Sequence, residues 1–334
     1  MSVHGITLNR HIIEEEQRHP EMAGHLSELL VQLGFAAKIL AREIGRAALV
    51  GKLGLVGEKN ATGDSQKKLD VFANETVVEA FAQTGLVAGI VSEELEEVKE
   101  ISCESKARYI LCTDPLDGSS NTDINGALGT IFGLYRRSGT CACDPRGEIL
   151  GRTAEQVAAG YVMYGTSTLL AYTCGHGAYG FTLDRDLGEF LLSHEDIHCP
   201  KRGRTYSANV ARAGDWDPGI HKFIEHVTQS DRESGRPYSL RYTGALVADI
   251  HRSLVEGGIY FYPPDLGHPE GKLRLLYECA PLALLVEAAG GRASTGRQRI
   301  LEVPAQSLHQ RVPLVVGSAD DVALYESFLA AADR

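Results

Sequence analysis

The first third of the chain alternates helical and glycine-rich patterns. A long helix with one buried face is predicted where apolar residues recur at steps of three and four positions, namely Leu26, Leu29, Leu30, Leu33, Ala37, Leu40 and Ile44. A second helix is predicted from about Lys67 to Gln83. The segment between them, Gly51 to Asp64, contains four glycines, and we interpret it as a loop that can move over a site.

Short apolar runs of strand length follow, and two of them end at acidic residues. The stretches 86–92 and 109–113 are rich in Ile, Val and other strand-forming residues, as buried strands are. Ile131 to Arg136 predicts another strand. The stretch 157–183 has no Asp, Glu, Lys or Arg, but five glycines interrupt it. We therefore interpret it as several buried strands and turns of a large sheet rather than as a membrane span.

The second half follows a polar connection near Ile197 to Arg204. Beyond it the patterns predict helices over 218–229, 243–255 and 280–289, strands over 257–262 and 313–317, and a last helix from Asp320 to Ala332. We therefore predict an α/β protein with two domains. Domain 1–198 has a mixed sheet with helices, and domain 199–334 has a smaller sheet flanked by helices.

The acidic balance of the chain limits its partners. Its 334 residues include 33 Lys and Arg against 44 Asp and Glu, a formal net charge of −11. General binding to nucleic acid or to an anionic membrane needs a clustered excess of basic residues, so neither is predicted. Residues Met1 to Gly5 do not open a signal peptide, and we expect a cytoplasmic protein.

The seven cysteines are an odd number spread over a long chain, which fits a reducing compartment better than a disulfide framework. We expect most of them to be packing residues. Cys141 and Cys143 lie in a polar loop, and no second pair completes a zinc site there. A redox or metal role for that pair is therefore not favoured.

The strongest chemical signal follows the strand that ends at Thr113. Asp114-Pro115-Leu116-Asp117-Gly118-Ser119-Ser120-Asn121 places two carboxylates three positions apart. Pro115 is expected to break the strand, so that both acids and the Leu116 carbonyl turn to one point and suit Mg²⁺ or Mn²⁺. The Gly-Ser-Ser segment is expected to open a helix and stabilise a phosphate. A plain Asx-type turn is the alternative, and the attached Gly-Ser-Ser favours the site.

Two adjacent glutamates, Glu93 and Glu94, follow the strand 86–92, where consecutive side chains point to opposite sides if extended geometry persists. One glutamate would complete a metal site with Asp114. The other, with Asp70 or Asp64, would orient and deprotonate a water. The alternative is a solvated run of acids, which we prefer for the later glutamates of that segment.

Glu278 precedes an apolar helix with Pro281 in its first turn. It is either an extra metal ligand or a charge favourable at a helix N-terminus, and the sequence alone leaves both open. Several acids around two or three divalent cations describe metal-assisted hydrolysis of a phosphate ester. Residues for a second phosphate are available in the second half as Arg241, Lys272 and Arg274, interleaved with Tyr242, Tyr260 and Tyr262.

Together these motifs resemble the class I fructose-1,6-bisphosphatases over nearly the whole chain, from Thr7 to the last helix. The segment Asp114 to Asn121 alone would be shared with inositol monophosphatases. The other matching stretches are Thr62 to Asp64, Lys67 to Val71, Ser92 to Glu94, Gly129 to Gly133, Tyr206 to Asn209, Arg241-Tyr242 and Gly271 to Cys279. The later stretches select the bisphosphatase branch and its layered sugar-phosphatase fold.

The resemblance implies Mg²⁺-dependent hydrolysis of the 1-phosphate of fructose 1,6-bisphosphate, in gluconeogenesis or the Calvin cycle. It implies two or three Mg²⁺ per subunit, replaceable by Mn²⁺, with the ligands Glu93, Asp114, the Leu116 carbonyl, Asp117 and Glu278. It implies that Asp70 and Glu94 activate the attacking water and that Asp64 assists from the mobile loop.

The resemblance also implies the substrate contacts. The 1-phosphate side would comprise Asp117, Gly118, Ser119 and Ser120. The 6-phosphate and the sugar would be held by the set Asn209, Tyr242, Tyr260, Phe261, Tyr262 and Lys272. Arg241 would reach in from a neighbouring subunit, which requires a homo-oligomer, and a homotetramer is expected.

Two departures from the family pattern concern the substrate and the effector. Many relatives have Asn-Glu-Gly-Tyr where this chain has Asn209 to Arg212, so sedoheptulose 1,7-bisphosphate stays open as a substrate. The family's AMP site resembles a set with altered side chains here, namely Gly24, Leu26, Ser27, Arg108, Tyr109 and Arg136. AMP is therefore a candidate effector. The long cysteine-bearing insert of chloroplast relatives is missing, so thioredoxin-type control is not expected.

Two competing functions remain. An inositol-phosphate or broader sugar-phosphate hydrolase would share the metal site, but Tyr242 and Lys272 would be superfluous for a monophosphate. A sensor that binds sugar phosphates without catalysis would not need the full set of carboxylates.

Overall fold

The computed structural model describes residues 5–19, 25–59, 65–137, 144–150, 156–231 and 233–333. Within these ranges the α-helices are α1 (Leu8–Arg18), α2 (His25–Ile44), α3 (Lys68–Ala82), α4 (Pro145–Ile149), α5 (Pro218–Thr228), α6 (Leu246–Glu256), α7 (Ala280–Ala288) and α8 (Ala319–Ala332). None of the helices in the described ranges is long and apolar enough to cross a membrane.

The longest strands of the described residues lie in the first half of the chain. They are β1 (Leu55–Lys59), β2 (Ser65–Lys67), β3 (Val87–Ser92), β4 (Lys99–Glu100), β5 (Tyr109–Asp117), β6 (Leu128–Arg136), β7 (Gln156–Tyr164), β8 (Thr168–Thr173), β9 (Tyr179–Asp184), β10 (Glu189–His194), β11 (Thr205–Ser207), β12 (Ser239–Leu240), β13 (Ile259–Tyr262), β14 (Leu273–Arg274), β15 (Arg292–Ser294), β16 (Arg311–Val312) and β17 (Leu314–Gly317).

The large sheet has the strand order β10-β9-β8-β7-β6-β5-β3-β4 within the described residues. Neighbouring strands are antiparallel except β3 and β5, which run parallel. The uncharged stretch 157–183 supplies β7, β8 and most of β9, as predicted. Along β5, Leu111 packs on one side of the sheet while Ile110 and Cys112 pack on the other. Because both sides are covered, this strand is apolar without alternation.

Two sets of helices cover the two faces of the large sheet. On one face, apolar residues of α1, α2 and α3 pack against the sheet, and the predicted spacing of α2 explains why Leu29, Leu33 and Leu40 are buried there. On the other face, α6 and α7 from the second half supply Ile250 and Leu282. The two halves therefore share a core, and the division at residues 198 and 199 stays a prediction.

The smaller sheet has the order β12-β11-β13-β17-β15, and α5 and α8 pack against it, as predicted. Its core contains Trp216, Phe223, Phe261 and Tyr325. Helices α6 and α7 contact strands of both sheets. The α/β fold class, with a large mixed sheet and a smaller sheet flanked by helices, is confirmed.

The prediction that Pro115 breaks the strand is wrong. Strand β5 continues to Asp117, and its pairing with β6 shifts by one residue between Asp114, opposite Ile131, and Asp117, opposite Gly129. This bulge accommodates a proline, which cannot donate to a regular ladder. The bulge, rather than a strand end, re-aims the two carboxylates.

Two other predictions are corrected in detail, and one is confirmed. The segment 51–64 is not a plain loop, because β1 within it pairs with β2. The segment after Gly118 opens a helix, as predicted, and this is a six-residue 3₁₀ helix, Ser119–Ile124. Helix α6 begins at Leu246 instead of residue 243, because Thr243 lies in a turn in which its N–H donates to Asp249.

The cysteines are mostly packing residues, with one exception. Cys112, Cys174, Cys199 and Cys279 are free thiols in buried or half-buried positions. Cys103 is disulfide-bonded and lies in an exposed segment, where it has no packing role. Several residues singled out from the sequence lie outside the described ranges: Gly24, Asp64, Cys141 and Cys143.

Candidate active site

The parallel pair β3 and β5 brings the predicted acids to one edge of the large sheet. Glu93 and Glu94 come directly after β3, and Asp114 and Asp117 lie in the last four residues of β5. Because parallel strands end at the same edge, these acids line one cavity of about 480 Å³. Other predicted residues line it too: Asp70, Leu116, Gly118, Ser119, Ser120, Tyr242, Tyr260, Tyr262, Lys272 and Glu278.

The two glutamates do not point to opposite sides, as extended geometry would require. The chain turns after Ser92, and the N–H of Glu93 donates to the carbonyl of Thr113 on the neighbouring strand. Both Glu93 and Glu94 therefore line the same cavity.

The cavity concentrates buried negative charge. Asp70, Asp114, Asp117 and Glu278 are each at most 7% exposed. Burial, and then repulsion from Glu93 and other acids, raises the pKa of Asp114 well above its ordinary value. Burial is also the main cause that raises the pKa values of Asp117 and Glu278, and it raises the pKa of Asp70 to about 6. Such a group of carboxylates favours a bound cation.

Arg274 contacts the acidic residues of the site, which differs from the phosphate-binding role that the sequence analysis suggested. It was a candidate for holding a second phosphate, but its Nη2 lies 3.2 Å from Oε1 of Glu93, and its backbone N–H donates to Glu278. Arg274 as a whole is only 3% exposed. Arg274 therefore offsets part of the acidic charge, and its Coulombic effect opposes the rise in the pKa of Glu278.

Backbone N–H groups hold the two aspartates of β5. Oδ1 of Asp114 accepts from the N–H of Leu116 at 3.0 Å. Asp117 accepts from the first turn of α6, with Oδ1 3.2 Å from the nitrogen of Leu246 and Oδ2 2.8 Å from that of Val247. A carboxylate at a helix N-terminus is favourable, so Asp117 joins the edge of the large sheet to the second half of the chain.

Asp70 and Glu94 lie where a water could be activated. Oδ2 of Asp70 accepts from the backbone N–H of Lys67 at 2.7 Å in the first turn of α3, while its Oδ1 is buried and has no hydrogen-bond partner among the described residues. Oε2 of Glu94 accepts from Nε2 of Gln66 at 2.5 Å. The unpartnered Oδ1 of Asp70 is an acceptor available to a water or a cation in the cavity.

The remaining lining combines phosphate-compatible donors with tyrosines. Gly118 has φ +77°, and a Cβ there would lie 2.7 Å from the Cβ of Ala245, so only glycine fits beside α6. Nζ of Lys272 lies 5.9 Å from the centre of the Tyr262 ring. No ion pair of Lys272 occurs among the described residues, which leaves its charge available to an anion.

Three predicted substrate residues do not line this cavity. Phe261 is fully buried in the core of the smaller sheet, because it points to the opposite face of β13 from Tyr260 and Tyr262. Asn209 lies in a narrow cleft that shares Tyr262 with the cavity. Arg241 is exposed and donates from Nη1 to the carbonyl of Leu240 at 2.8 Å.

The described residues of the candidate AMP set lie on strands β5 and β6, just before β5, and at the start of α2. Tyr109 pairs directly with Arg136 across β5 and β6, and Arg108 precedes Tyr109. Ser27 lies near the start of α2 with a buried Oγ that has no hydrogen-bond partner in the part of the chain that the structure describes, and Leu26 beside it is buried in the core. AMP binding stays a prediction.

Sequence reasoning missed several lining residues, namely Leu55, Lys67, Gly244, Leu246 and Leu273. Lys67 belonged to a matching motif, and its positive charge could have indicated that it lines the cavity. In the structure its Nζ lies 2.9 Å from Oδ2 of Asp123. Gly244 and Leu246 reach the cavity only through the docking of α6 on Asp117, a long-range contact without a local sequence signal.

The donor set fits a hard divalent cation, although the side chains do not surround one point. Among the described residues, no group of three or more His, Cys, Asp or Glu side chains has the geometry to hold a metal ion. Glu93 is turned toward Arg274, and both oxygens of Asp117 accept from α6. The carboxylates, the unpartnered Oδ1 of Asp70 and the absence of softer donors among the described lining residues are nevertheless the chemistry of Mg²⁺ or Mn²⁺.

A large mixed sheet with a carboxylate-lined cavity at the ends of its parallel strands defines an α/β protein with a site for charged ligands. Two family models assign the chain to a more specific class. The model "Fructose-1-6-bisphosphatase, N-terminal domain" matches residues 6–195, and the corresponding C-terminal domain model matches residues 199–330. The chain belongs to the fructose-1,6-bisphosphatase family, which implies dependence on a divalent metal in general terms.

Individual relatives agree with this assignment. The chain is 58% identical to a class 1 fructose-1,6-bisphosphatase of Acaryochloris marina over 98% of each chain. It is 48% identical to the class 1 enzyme of Chlorobium phaeovibrioides over 97% of each chain. The crystal structure of Leishmania major fructose-1,6-bisphosphatase in holo form superposes with a TM-score of 0.91 at 38% identity, covering 98% of this chain and 99% of that one.

Proposed function

We propose that this chain hydrolyses the 1-phosphate of D-fructose 1,6-bisphosphate, giving fructose 6-phosphate and phosphate. The observation that carries the proposal is one cavity in which a cluster of carboxylates meets Lys272, Tyr242 and Tyr262. Relatives at 48% and 58% identity carry the name of this activity. A monophosphate would leave Lys272 and Tyr242 without a phosphate to contact, so a bisphosphate fits the lining better.

Different residues of the chain would have different roles in the hydrolysis. The N–H and hydroxyl groups of Gly118, Ser119 and Ser120 would hold the 1-phosphate. Asp70 and Glu94 would orient the attacking water and accept its proton, and a pKa of about 6 suits Asp70 to that task near neutral pH. As the water oxygen bonds to phosphorus, the bond from phosphorus to the sugar O1 breaks and that oxygen takes up a proton. Asp64 would assist, although it lies outside the described residues.

Divalent cations belong to this proposal. We assign Mg²⁺, two or three per subunit and replaceable by Mn²⁺, to Glu93, Asp114, the Leu116 carbonyl, Asp117 and Glu278. When bound, they supply charge neutralisation at the transferring phosphoryl group. The buried carboxylates, whose pKa values are raised in the absence of a cation, support this assignment.

The 6-phosphate would be held by Lys272, Tyr242, Tyr262 and Asn209, with Arg241 donated by a neighbouring copy. The exposure of Arg241 supports this role. We accordingly propose a homotetramer, located in the cytoplasm and acting in gluconeogenesis or the Calvin cycle. AMP remains a proposed effector, and 1–198 and 199–334 remain the proposed domains.

A wider substrate range has one observation in its favour. Arg212 lines the narrow cleft with Asn209 and Tyr262, next to the main cavity. A cation at that position would suit the distal phosphate of a longer sugar, so sedoheptulose 1,7-bisphosphate is a second candidate substrate.

The test is phosphate release by the purified protein, with Mg²⁺ and with an excess of chelator, from fructose 1,6-bisphosphate, sedoheptulose 1,7-bisphosphate, fructose 6-phosphate and inositol 1-phosphate. We expect chelator-sensitive release from the bisphosphates only. A preference for inositol 1-phosphate would contradict the roles of Lys272 and Tyr242. No release from any of the four would favour a non-catalytic sensor.

A further inference from the structure

One buried side chain joins the segment proposed to hold the 1-phosphate to the turn that carries Tyr242. Asn121 is the third residue of the 3₁₀ helix Ser119–Ile124, whose first two residues line the candidate active-site cavity. Its Nδ2 donates to the carbonyl of Thr243 at 3.2 Å and to the carbonyl of Ala127 at 3.1 Å. Thr243 directly follows Tyr242, and it is 122 positions from Asn121 in the sequence. The roles assigned to the candidate active site do not include Asn121.

The amide of Asn121 has a fixed position in its own segment. The residue is 8% exposed, its N–H donates to the carbonyl of Gly118 at 2.8 Å, and its carbonyl accepts from the N–H of Gly126 at 2.9 Å. A Cβ at Gly126 would lie 2.9 Å from the Cβ of Asn121, so only glycine leaves room for this packing. Movement of Asn121 is therefore coupled to movement of the residues that line the 1-phosphate side.

The turn is held from its other side by Asp249 of α6. The N–H of Thr243 donates to both carboxylate oxygens of Asp249, at 3.0 Å and 3.1 Å, and Asp249 is 1% exposed. The hydroxyl of Thr243 accepts from the N–H of Ala245 at 3.2 Å, which closes the turn. The N–H and the carbonyl of Thr243 are therefore both bound by buried side chains, and these side chains belong to two different elements.

Tyr242 depends on this turn for its position. It lines the candidate active-site cavity and is 39% exposed. Its hydroxyl forms no hydrogen bond with any residue that the structure describes. Because the side chain has no polar anchor of its own there, the backbone of the turn determines where the hydroxyl lies.

We propose that Asn121 is a positioning residue that holds the turn with Tyr242 at a fixed distance from the 1-phosphate segment. The proposal rests on the proposed hydrolysis, because it concerns how that site aligns with both ends of a sugar bisphosphate. Small displacements of a binding group cause large losses in rate, since a bound substrate must be held in reactive geometry. Without the amide of Asn121, the carbonyl of Thr243 loses its buried donor and Tyr242 can move away from the 6-phosphate.

A double-mutant cycle tests this coupling. It compares kcat/KM for fructose 1,6-bisphosphate in the wild type, Tyr242→Phe, Asn121→Ala and the double variant. In the wild-type background, Tyr242→Phe should lower kcat/KM by about tenfold, because the phosphate loses a hydroxyl donor. In the Asn121→Ala background, the same change should lower it by about threefold or less, because the hydroxyl is already displaced. Both single variants should act mainly through a higher KM.

The matched control is Asn125→Gly, at the exposed end of the same 3₁₀ helix, where φ of 56° suits glycine. It should keep the wild-type kcat/KM and the full effect of Tyr242→Phe. Thermal melting should show every variant folded. If Asn121→Ala does not fold, Asp249→Asn, which loosens the turn from its other side, replaces it in the cycle and should give the same reduced effect of Tyr242→Phe.

Equal effects of Tyr242→Phe in both backgrounds overturn the proposal, because Asn121 would then act on the fold or on the rate without acting through Tyr242. No effect of Tyr242→Phe on the wild type overturns it too. If the wild type releases no phosphate from fructose 1,6-bisphosphate, the proposed hydrolysis fails and the positioning role fails with it. An active wild type with additive variants overturns the positioning role alone.

Discussion

At the scale of the residue, the candidate site depends on side chains that both stabilise the fold and line the cavity. Asp117 ends β5, accepts two N–H groups from α6 and lines the cavity. Asp70 begins α3 with one oxygen and keeps the other unpartnered. The side chain of Lys272 lines the cavity but forms no ion pair among the described residues. It is therefore the simplest position at which to test substrate binding.

Replacement of Lys272 by alanine should weaken binding of the sugar bisphosphate. The variant loses a charge-assisted contact to the 6-phosphate, so we expect KM to rise by about tenfold to a hundredfold, with a smaller change in kcat. Steady-state kinetics with fructose 1,6-bisphosphate measure this. Lys222→Ala, at an exposed position of α5, is the control. An unchanged KM in Lys272→Ala would remove this residue from the substrate site.

His251 should lower the stability of the folded state as the pH falls below neutrality. Its Nδ1 lies 2.7 Å from the Tyr161 hydroxyl, and burial, helped by His194 and Arg252, lowers its pKa to about 4. In the unfolded chain histidine titrates near 6.5, so between about pH 6.5 and 4 the unfolded state binds the additional proton. This contribution to stability is present above pH 6.5 and is lost as the pH falls toward 4.

The measurement is the difference in the free energy of unfolding between pH 7 and pH 5, obtained by denaturant titration. His251→Gln should lose less stability over this interval than the wild type, whereas His221→Gln, at an exposed position, should match the wild type. Equal losses for the wild type and His251→Gln would show that His251 does not titrate as its surroundings suggest.

Which residues could be predicted from the sequence depended on the range of their contacts. Asp114, Asp117 and Glu278 stood out because each lies at the end or beginning of a recognisable element. Phe261 was misplaced because it was grouped with its two tyrosine neighbours, although the alternation of a strand turns it into the core. The ion pair of Arg274 with Glu93 joins residues far apart in sequence, and no local pattern reveals it.

At the scale of the element, the site is shaped by irregularities in otherwise regular structure. The bulge in β5 re-aims Asp114 and Asp117. Glu278 lies in a π-helical turn, Leu275–Cys279, immediately before α7, and such turns are frequent at functional sites. Helix and strand periodicity predicted the elements themselves, but a bulge and a π-turn add one residue to a pattern and cannot be located by periodicity.

His309 links the two segments that carry predicted metal ligands. Its Nδ1 lies 2.8 Å from the hydroxyl of Tyr277, beside Glu278, and its Nε2 lies 3.2 Å from the carbonyl of Glu96, in the segment after Glu93. We expect His309→Ala to raise the Mg²⁺ concentration for half-maximal activity by about tenfold or less, because the segments that carry Glu93 and Glu278 lose a shared contact. The KM for the sugar bisphosphate should change much less.

Calorimetric Mg²⁺ binding and the Mg²⁺ dependence of the rate together check this prediction. His309→Gln, which keeps a side-chain donor, should recover part of the affinity, and His221→Ala should behave like the wild type. Equal loss in His309→Ala and His309→Gln, or an unchanged Mg²⁺ requirement in both, would contradict a positioning role.

At the scale of the whole molecule, the two halves are joined by a common core. Ile131 and Tyr161 of the large sheet and Ile250 and Leu282 of the second half belong to one apolar cluster. The division of the chain near residue 198 was predicted from a change of composition, which shows where a polar connection lies in the sequence. Composition does not show that α6 and α7 cover a sheet built by the other half.

The shared core predicts a common unfolding transition. Trp216 is the only tryptophan of the chain and lies in the core of the smaller sheet, whereas far-UV circular dichroism reports on the whole fold. The denaturant midpoints from tryptophan fluorescence and from circular dichroism should coincide, because unfolding of one half exposes the apolar surface of the other. Two separate midpoints would mean that the halves unfold independently.

The central claim is that the carboxylate-lined cavity carries out cation-dependent hydrolysis of a sugar bisphosphate. The most direct measurement is phosphate release from fructose 1,6-bisphosphate at saturating Mg²⁺ by the wild type, Asp117→Asn and the control Glu97→Gln, whose side chain is 64% exposed. We predict that Asp117→Asn remains folded and loses activity by about a hundredfold or more, while Glu97→Gln keeps the wild-type rate. A folded Asp117→Asn that hydrolyses the bisphosphate at the wild-type rate would contradict the claim.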